Sequence, residues 1–175
     1  MTFVKILRAD MIHHGFTYRE GLNVDTVPFD PTGTCKAGGL YFSTLANMPL
    51  YVDYGTLIAT VELPPDARIY HENKKAKADK IILKDIKPIE DHECWYDIEF
   101  CRLAVQQDGQ ALYYVKEQTE EICKLAVQQD GLALQYVKEQ TEEICKLAVQ
   151  QDGLALQYVT KQTDEICKLA VQQAG

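Results

Sequence analysis

The distribution of apolar and polar residues divides the chain into two parts. From Ile98 onward, apolar side chains recur at helical spacing, as Ile122, Leu125 and Ala126 do at i, i+3 and i+4. Before about residue 90, apolar residues instead form short runs rich in β-branched and aromatic side chains. The pattern predicts an N-terminal part that contains a sheet and a C-terminal part that is helical.

The helical part is a tandem repeat of 22 residues. Residues 120–141 and 142–163 are identical at 20 of 22 positions, an earlier copy covers 98–119, and a partial copy covers 164–175. In each unit an Asp-Gly pair is predicted to end one helix through a left-handed glycine, and a second helical pattern follows, such as Leu132 to Gln140. Helices of ~10 residues do not persist alone in water. Residues 97–175 are therefore predicted to stack as an α-solenoid of short helical hairpins.

Residues 1–90 show no repeat and predict a small α+β module. Segment 44–54 has room for a short helix, and four runs predict strands: Phe3–Arg8, Leu57–Leu63, Arg68–His71 and Lys80–Leu83. The lysine-rich segment 72–80 predicts a solvated turn, and Trp95 and Tyr96 are expected to pack over the first hairpin. The predicted fold class is α+β, with this module followed by the helical array.

Cysteine spacing and charge restrict the compartment and the partners. The cysteines at 101, 123, 145 and 167 are one repeat position seen four times. Neighbouring helical layers lie ~8–10 Å apart, whereas a disulfide needs Cα atoms within ~7 Å, so free thiols in a reducing cytoplasm are expected. Residues 97–175 carry 13 acidic and 7 basic side chains, which disfavours nucleic acid. No secretory signal and no apolar run of ~18 residues is found, so no membrane partner is expected.

Several motifs of the first part resemble those of a known family. In chain order they are His14-Gly-Phe-Thr-Tyr-Arg-Glu-Gly-Leu-Asn23, Phe29-Asp-Pro31, Cys35-Lys-Ala-Gly-Gly-Leu-Tyr-Phe42, Tyr54-Gly55, Val61-Glu-Leu-Pro64 and Lys77-Ala-Asp-Lys-Ile-Ile-Leu83. Over residues 3–84 the chain resembles the N-terminal module of ankyrin-repeat proteins of mimivirus-type giant viruses. It departs from that pattern at Lys77-Ala78, where the family pattern has an aromatic residue and an arginine.

The C-terminal units likewise resemble an uncharacterised short helical repeat that is common in such viruses. The resemblance implies a viral protein in the host cytoplasm or in the virion, built as a small module on a repeat array. It implies no enzymatic activity.

The array is the predicted interaction surface, because repetition builds extended surfaces rather than catalytic pockets. Its polar face supplies four candidate partner-binding residues: Lys124, Gln128, Lys146 and Gln150. The partial final copy keeps apolar residues of the inner copies, including Ile166 and Val171, and so predicts an apolar edge. We therefore expect a non-enzymatic scaffold, without a cofactor, that binds a protein partner or a second copy of itself.

An enzymatic alternative stays open for the first part. His14, Tyr41 and Glu62 resemble, at loose spacing, the His–Tyr–Glu layout of ADP-ribosyltransferases. In such a nucleotide-binding site His14 and Tyr41 would hold a nicotinamide dinucleotide, and Glu62 would stabilise the transition state. The competing interpretation makes His14 and Tyr41 core or turn residues. Only His92 and Cys94 have close metal-ligand spacing, and no paired C-x-x-C is present, so no metal site is predicted.

Overall fold

The structure is a computed structural model that describes residues 1–32 and 35–174. The chain forms two units, Met1–His92 and Glu93–Gly175. The β-strands lie in the first unit and the α-helices in the second, so the predicted α+β class with a helical C-terminal region is confirmed. Gly175, which ends the predicted partial copy, lies outside the described residues.

The first unit is built on an antiparallel sheet. Its strands are β1 (Phe3–Leu7), β4 (Gly21–Val24), β5 (Leu40–Thr44), β6 (Leu57–Glu62), β7 (Ile69–His71), β8 (Lys75–Ala78) and β9 (Lys80–Pro88). Over the described residues these seven strands stand in the order β4-β9-β6-β1-β5-β8-β7. The strands β2 (Ile12–His13) and β3 (Phe16–Thr17) form a separate hairpin. β1 therefore lies at the centre of the sheet.

Apolar side chains from several strands form the core of this unit. Leu7 on β1, Phe42 on β5 and Leu83 on β9 are each 3% exposed or less. Full burial of such a side chain contributes ~1.5–3 kcal/mol. Thr44, the last residue of β5, accepts a hydrogen bond from the Asn47 backbone N at 3.3 Å and caps a 3₁₀ helix, Leu45–Tyr54. The short helix predicted for this segment is thus confirmed.

The lysine-rich segment 72–80 differs from the expectation. The sequence predicts a solvated turn, but the central residues Lys75–Ala78 form β8, which pairs with β5 and β7. Lys77 on β8 is fully buried, and its Nζ donates to the Thr32 carbonyl at 3.3 Å. The prediction was wrong because a lysine can bury its aliphatic stem when its ammonium finds an acceptor.

Up to Ala174, where the described residues end, the second unit contains four α-helices: α1 (Ile98–Gln107), α2 (Glu120–Gln129), α3 (Glu142–Gln151) and α4 (Asp164–Ala174). Successive helices pack on one another. Thr119 caps α2 by accepting from the Ile122 backbone N at 3.2 Å, and Thr141 caps α3 in the same way. Glutamates in the first turns favour these helix starts, because the N-terminal end of the helix dipole is positive.

The second segment of each unit is a 3₁₀ helix, shorter than the helix that the sequence predicts. These segments are Gly109–Tyr114, Gly131–Tyr136 and Gly153–Tyr158. Asp130 is extended, with φ −146° and ψ 109°, and its carboxylate caps the middle segment by accepting from the Leu132 backbone N at 2.9 Å. The tight helix places Ala133 and Leu134 in the interior, where both are fully buried.

Gly131 serves close packing rather than the left-handed helix end that was predicted. The φ angle of Gly131 is not positive, so its backbone is not left-handed. A Cβ added at Gly131 would lie 2.5 Å from the Ala148 carbonyl O of the next unit. The Gly131 N also donates to Gln151 Oε1 of that unit at 2.6 Å. Gly109 makes the equivalent contacts with its following unit. A Cβ at Gly109 would lie 2.5 Å from the Ala126 carbonyl O, and the Gly109 N donates to Gln129 Oε1 at 2.6 Å.

A second set of glutamines joins each unit to the next. Gln140 Nε2 donates to the Tyr158 carbonyl at 2.9 Å, and Gln140 Oε1 accepts from the Thr160 backbone N at 3.0 Å. Gln118 makes the equivalent pair of bonds one unit earlier. The thiol of Cys145 donates to Gln140 Oε1 at 3.6 Å. The repeated cysteine therefore lies beside the hydrogen bonds that hold neighbouring units together.

Aromatic side chains close the start of the array. Trp95 is fully buried, stacks on Tyr114 with ring centroids 5.0 Å apart, and meets Phe100 edge-on at 5.4 Å. The expected packing over the first helical pair is confirmed for Trp95. It is wrong for Tyr96, which is 62% exposed.

Gly131→Ala is expected to destabilise the second unit by about 1–3 kcal/mol, because the new methyl group must displace the backbone of the next unit. Urea denaturation followed by far-UV circular dichroism measures the change. Gln135→Ala, on the exposed side of the same 3₁₀ helix, is the matched control and should stay within about 0.5 kcal/mol. Equal midpoints for Gly131→Ala and the unchanged chain would contradict the close approach.

Candidate functional site

The first unit contains a cavity of about 320 Å³. Its walls come from β1, β5, the β2–β3 hairpin, the loop 35–39 and the end of the 3₁₀ helix Leu45–Tyr54. Ligand-binding cavities in proteins have volumes of about 300–1,000 Å³. The cavity is thus large enough for a small organic molecule.

The cavity lies where two central strands separate. β1 and β5 pair only through Phe3–Thr44 and Val4–Ser43, although both strands continue. The residues that follow, including Lys5 on β1 and Tyr41 on β5, line the cavity instead. The interrupted pairing leaves the Tyr41 carbonyl free to accept a hydrogen bond from a side chain.

Lys5 makes that hydrogen bond from inside the protein. Its Nζ donates to the Tyr41 carbonyl O at 2.6 Å and lies 4.4 Å from the centroid of the Tyr18 ring. The residue is 5% exposed. Burial lowers the pKa of Lys5 from its ordinary 10.5 to about 7, because the charged form loses its hydration. Lys5 therefore changes charge near neutral pH.

Two histidines lie on the hairpin side of the cavity. The rings of His13 and His14 stack with centroids 4.4 Å apart. Burial, followed by the positive charge of Lys5, lowers the pKa of His13 below its ordinary value. His13 is accordingly a neutral imidazole at pH 7. His14 has φ +49°, a conformation that is uncommon for a residue with a side chain.

Aromatic side chains supply much of the remaining wall. Phe16 meets Tyr18 edge-on with centroids 4.7 Å apart, and Tyr51 lies 6.2 Å from Tyr54. Burial, followed by the nearby Glu72 carboxylate, raises the pKa of Tyr41 to about 12. The tyrosines at 18 and 41 thus remain protonated at neutral pH, since burial also raises the pKa of Tyr18.

A glycine corner shapes one edge of the cavity. Gly38 and Gly39 have φ +86° and +143°, and a Cβ at Gly38 would lie 2.4 Å from the Pro28 carbonyl O. The Gly39 N donates to Asp25 Oδ2 at 2.6 Å. The other carboxylate oxygen of Asp25 accepts from the Val27 N at 3.1 Å. Among the described residues, Asp25 is the only carboxylate in the cavity wall, and each of its oxygens accepts a hydrogen bond from the backbone.

A second polar cluster borders the same cavity. Lys75 Nζ lies 2.8 Å from Cys35 Sγ, 4.6 Å from the centroid of the Tyr41 ring and 3.9 Å from Glu72 Oε2. The other oxygen of Glu72 is buried without a hydrogen-bond partner in the part of the chain that the structure describes. Lys75 differs from Lys5 because it has both a carboxylate and a thiol beside it.

The structure brings together only two of the three residues of the transferase alternative. His14 and Tyr41 both line the cavity. Glu62 does not, because its carboxylate pairs with Lys84 Nζ at 2.7 Å, where both side chains are about half exposed. The predicted His–Tyr–Glu arrangement is therefore not assembled.

The predicted partner-binding lysines of the array connect neighbouring units. Lys124 Nζ lies 3.0 Å from a Glu120 carboxylate oxygen and 2.9 Å from one of Glu143 in the next unit. Lys146 makes the equivalent pair of contacts with Glu142 and Glu165. Both lysines are thus already engaged within the array.

The other predicted partner-binding residues differ in their access to solvent. Gln128 and Gln150 are exposed, and within the described residues neither side chain forms a hydrogen bond. Val171 is 70% exposed, but Ile166 is only 1% exposed, so Ile166 offers no surface to a partner.

Lys5 was missed from the sequence, although a signal was present. Alternation along β1 puts Lys5 on the same side as Phe3 and Leu7, both of which pack in the core. A lysine at a core position of a strand indicates a buried charge. What the sequence does not indicate is the separation of β1 from β5 that gives this charge a cavity.

Two further features concern metals and membranes. Within residues 1–32 and 35–174, His, Cys, Asp and Glu side chains form no group of three or more that suits a metal ion. Along the same residues no helix combines the length and apolar character of a membrane span.

The fold is that of a two-part repeat protein. A unit built on a sheet, which contains the cavity, is followed in the chain by a tandem helical repeat. Residues 97–142 and 119–163 match the family model described as "Domain of unknown function (DUF4116)". "Uncharacterized protein R869" of Acanthamoeba polyphaga mimivirus is 31% identical over 96 residues, which are 48% of this chain and 70% of that protein. The chain belongs to the same family as this mimivirus protein.

Other mimivirus relatives bear names that describe repeats. "Putative ankyrin repeat protein R868" is 31% identical over 100 residues, 53% of this chain and 50% of the relative. "Putative ankyrin repeat protein R229" is 39% identical over 68 residues, 38% of this chain and 22% of the relative. This chain spans half or less of the length of these two proteins. The resemblance to giant-virus ankyrin-repeat proteins is confirmed. No solved structure matches the chain.

Lys5→Met is expected to stabilise the first unit at pH 7 by a few kcal/mol, on the order of 3. The folded pKa of about 7 lies below the ordinary 10.5, so the folded state binds fewer protons than the unfolded state between these values. Stability therefore rises with pH across that window, by up to about 1.4 kcal/mol per pH unit. Lys5→Met removes this rise.

Differential scanning calorimetry at about pH 7 and pH 9 measures both effects. Lys84→Met, which removes an exposed lysine of the same sheet, is the matched control and should leave the pH dependence unchanged. An unaltered pH slope in Lys5→Met would show that Lys5 is not the titrating group.

Proposed function

We propose that this chain is a protein-binding scaffold whose helical array, an α-solenoid, holds an extended segment of a partner protein. The exposed glutamine column of α1, α2 and α3, formed by Gln106, Gln128 and Gln150, carries the proposal. The family relationship to proteins named as ankyrin repeat proteins supports a scaffold over an enzyme.

The glutamine column differs from most other repeated polar side chains of the array, which form hydrogen bonds or ion pairs within the array. Gln118 and Gln140 bridge units through both ends of their amides. Lys124 and Lys146 bind glutamates of two units each. By contrast, the amides of Gln128 and Gln150 have no partner among the described residues. Their donors and acceptors are available to a second chain.

The spacing of the column suits an extended peptide. Packed helices lie ~8–10 Å apart, and an extended chain rises ~3.3 Å per residue. One glutamine therefore meets the peptide about every third residue. A side-chain amide can both donate to and accept from a peptide backbone, which allows binding without a demand on each side chain of the partner.

Charge favours a basic segment. Residues 97–175 carry 13 acidic and 7 basic side chains, so the array has an excess of negative charge. A partner segment with lysine or arginine beside its backbone contacts gains electrostatic attraction, which acts mainly on the association rate. The proposed partner is thus an extended, basic segment of a protein.

The test is selection of peptides on the full chain from a random displayed library, followed by affinity measurement with fluorescence anisotropy. Selected peptides should be enriched in basic residues. Gln128→Ala with Gln150→Ala should weaken their binding by about tenfold, since each lost amide bond contributes ~0.5–1.5 kcal/mol. Gln135→Ala with Gln157→Ala, an exposed pair on the 3₁₀ helices, is the matched control and should leave the affinity unchanged. An equal loss in both pairs would contradict the proposed surface.

Exposed apolar residues of α4 and the preceding 3₁₀ helix favour self-association as a second candidate. Val171 is 70% exposed and Leu154 is 65% exposed. The equivalent valines Val127 and Val149 are fully buried by the following unit. These two exposed positions are therefore where a further helical unit, such as that of a second copy, would pack.

Val171→Asp is expected to shift the chain toward the monomer, because it places a charge on this apolar surface. Sedimentation velocity over a range of concentrations measures the association. Leu103→Asp, which alters an exposed leucine of α1, is the control. A chain that stays monomeric at high concentration would rule out self-association.

The host-cell cytoplasm or the virion is the proposed location. The six cysteines form no disulfides within the described residues, and those at 94, 101, 123 and 145 are buried. Burial raises the pKa of Cys94 to about 12 and that of Cys101 to about 11, so both remain thiols. This cysteine usage supports a reducing compartment.

A further inference from the structure

The ammonium of Lys5 has unused hydrogen-bonding capacity. It carries three N–H donors, and within the described residues its only acceptor is the Tyr41 carbonyl at 2.6 Å. No carboxylate forms an ion pair with it in that part of the chain; Asp25, which also lines the cavity, accepts from the backbone N of Gly39 and of Val27. A buried charge without a counter-ion is unfavourable. An anion that enters the cavity would act as the counter-ion of Lys5.

The walls around Lys5 favour a flat ring. The Tyr18 ring centroid lies 4.4 Å from Lys5 Nζ, and Phe16 packs edge-on against Tyr18. Aromatic rings associate in stacked and edge-on geometries that contribute ~0.5–1.5 kcal/mol beyond burial. With a volume of about 320 Å³, the cavity is at the lower end of the range for ligand sites. A molecule of one or two rings fits these limits.

The polar groups around Lys5 favour a carboxylate over a phosphate. Sites for phosphate commonly use several backbone N–H groups, but here the Gly39 N is bound to Asp25. The neighbouring His13 is a neutral imidazole at pH 7, because burial lowers its pKa. Lys75 is already held by Cys35 and Glu72. One buried ammonium beside a neutral imidazole matches a single negative charge.

We propose that the cavity of the first unit binds a small aromatic carboxylic acid, with its carboxylate on Lys5 Nζ and its ring against Tyr18 and Phe16. The carboxylate supplies the missing counter-ion, and the ring covers the aromatic wall. This ligand site lies in the first unit and goes beyond the protein-binding role of the array.

Binding is coupled to protonation. Lys5 is partly neutral slightly above pH 7, and an ion pair with the ligand favours its charged form. The titratable groups beside it are Tyr41 on β5, Tyr18, and His13 on the hairpin. The cavity is also lined by His14, Asp25, Cys35 and Lys75. The tyrosines stay protonated because burial raises their pKa. Binding at about pH 7.5 is therefore accompanied by the uptake of a proton from solvent at Lys5 Nζ.

The test is isothermal titration calorimetry of the full chain at about pH 7.5, in two buffers with different heats of ionisation. The probes are 4-hydroxybenzoate, its neutral analogue 4-hydroxybenzamide, acetate and inorganic phosphate. The aromatic acid should bind at least about tenfold more tightly than each of the others. Its apparent binding heat should differ between the buffers, which reports proton uptake.

Two variants locate the site. Lys5→Met should fold, since it removes a buried charge, and should weaken binding of 4-hydroxybenzoate at least about tenfold and abolish the proton uptake. Lys84→Met should bind the acid as the unchanged chain does. Equal affinity for the acid and the amide, tighter binding of phosphate, no binding of the acid at millimolar concentration, or undiminished binding by Lys5→Met would each overturn the proposal.

Discussion

The second unit depends on one constraint: no repeat unit is stable without a neighbouring repeat unit to pack against. A helix of ten residues such as α2 is too short to persist in water. The absence of a side chain at Gly131 lets the backbone of the next unit approach, and Gln151 satisfies the Gly131 N at that distance. The exposed ion pairs of Lys124 contribute only ~0–1 kcal/mol each. Close packing and the partly buried glutamine bonds therefore dominate the stacking.

The same constraint explains which features of the array could be predicted. Helix starts follow from local signals, and the threonines before α2 and α3 cap them as their sequence context indicates. The role of Gly131 does not follow from local signals. The atom that excludes a Cβ at Gly131 belongs to Ala148, in the following repeat unit. A left-handed glycine is the common local reason for this residue at a helix end. Here a contact between units is the reason.

The candidate site was predictable only in part for a similar reason. His14 and Tyr41 were identified from the sequence as a pair, and both line the cavity. Glu62 lies outside the cavity wall, since its position on β6 directs it to Lys84. The cavity itself depends on where the pairing of β1 and β5 stops, a property of strands more than thirty residues apart in the chain. Alternation assigns Lys5 to the core side but does not indicate this gap.

In both units, polar side chains that already have hydrogen-bond or ion-pair partners stabilise the fold, whereas those that lack such partners can bind another molecule. In the array, glutamines of similar sequence context have opposite fates: Gln140 is bound at both ends of its amide, whereas Gln150 is exposed and unbonded among the described residues. In the sheet unit the contrast is between two lysines, because Lys75 lies beside Glu72 and Lys5 has no carboxylate partner there. Since an unsatisfied buried charge destabilises the fold, Lys5 carries the stronger expectation of a ligand. An exposed amide is satisfied by water at little cost, so the glutamine column permits a partner without requiring one.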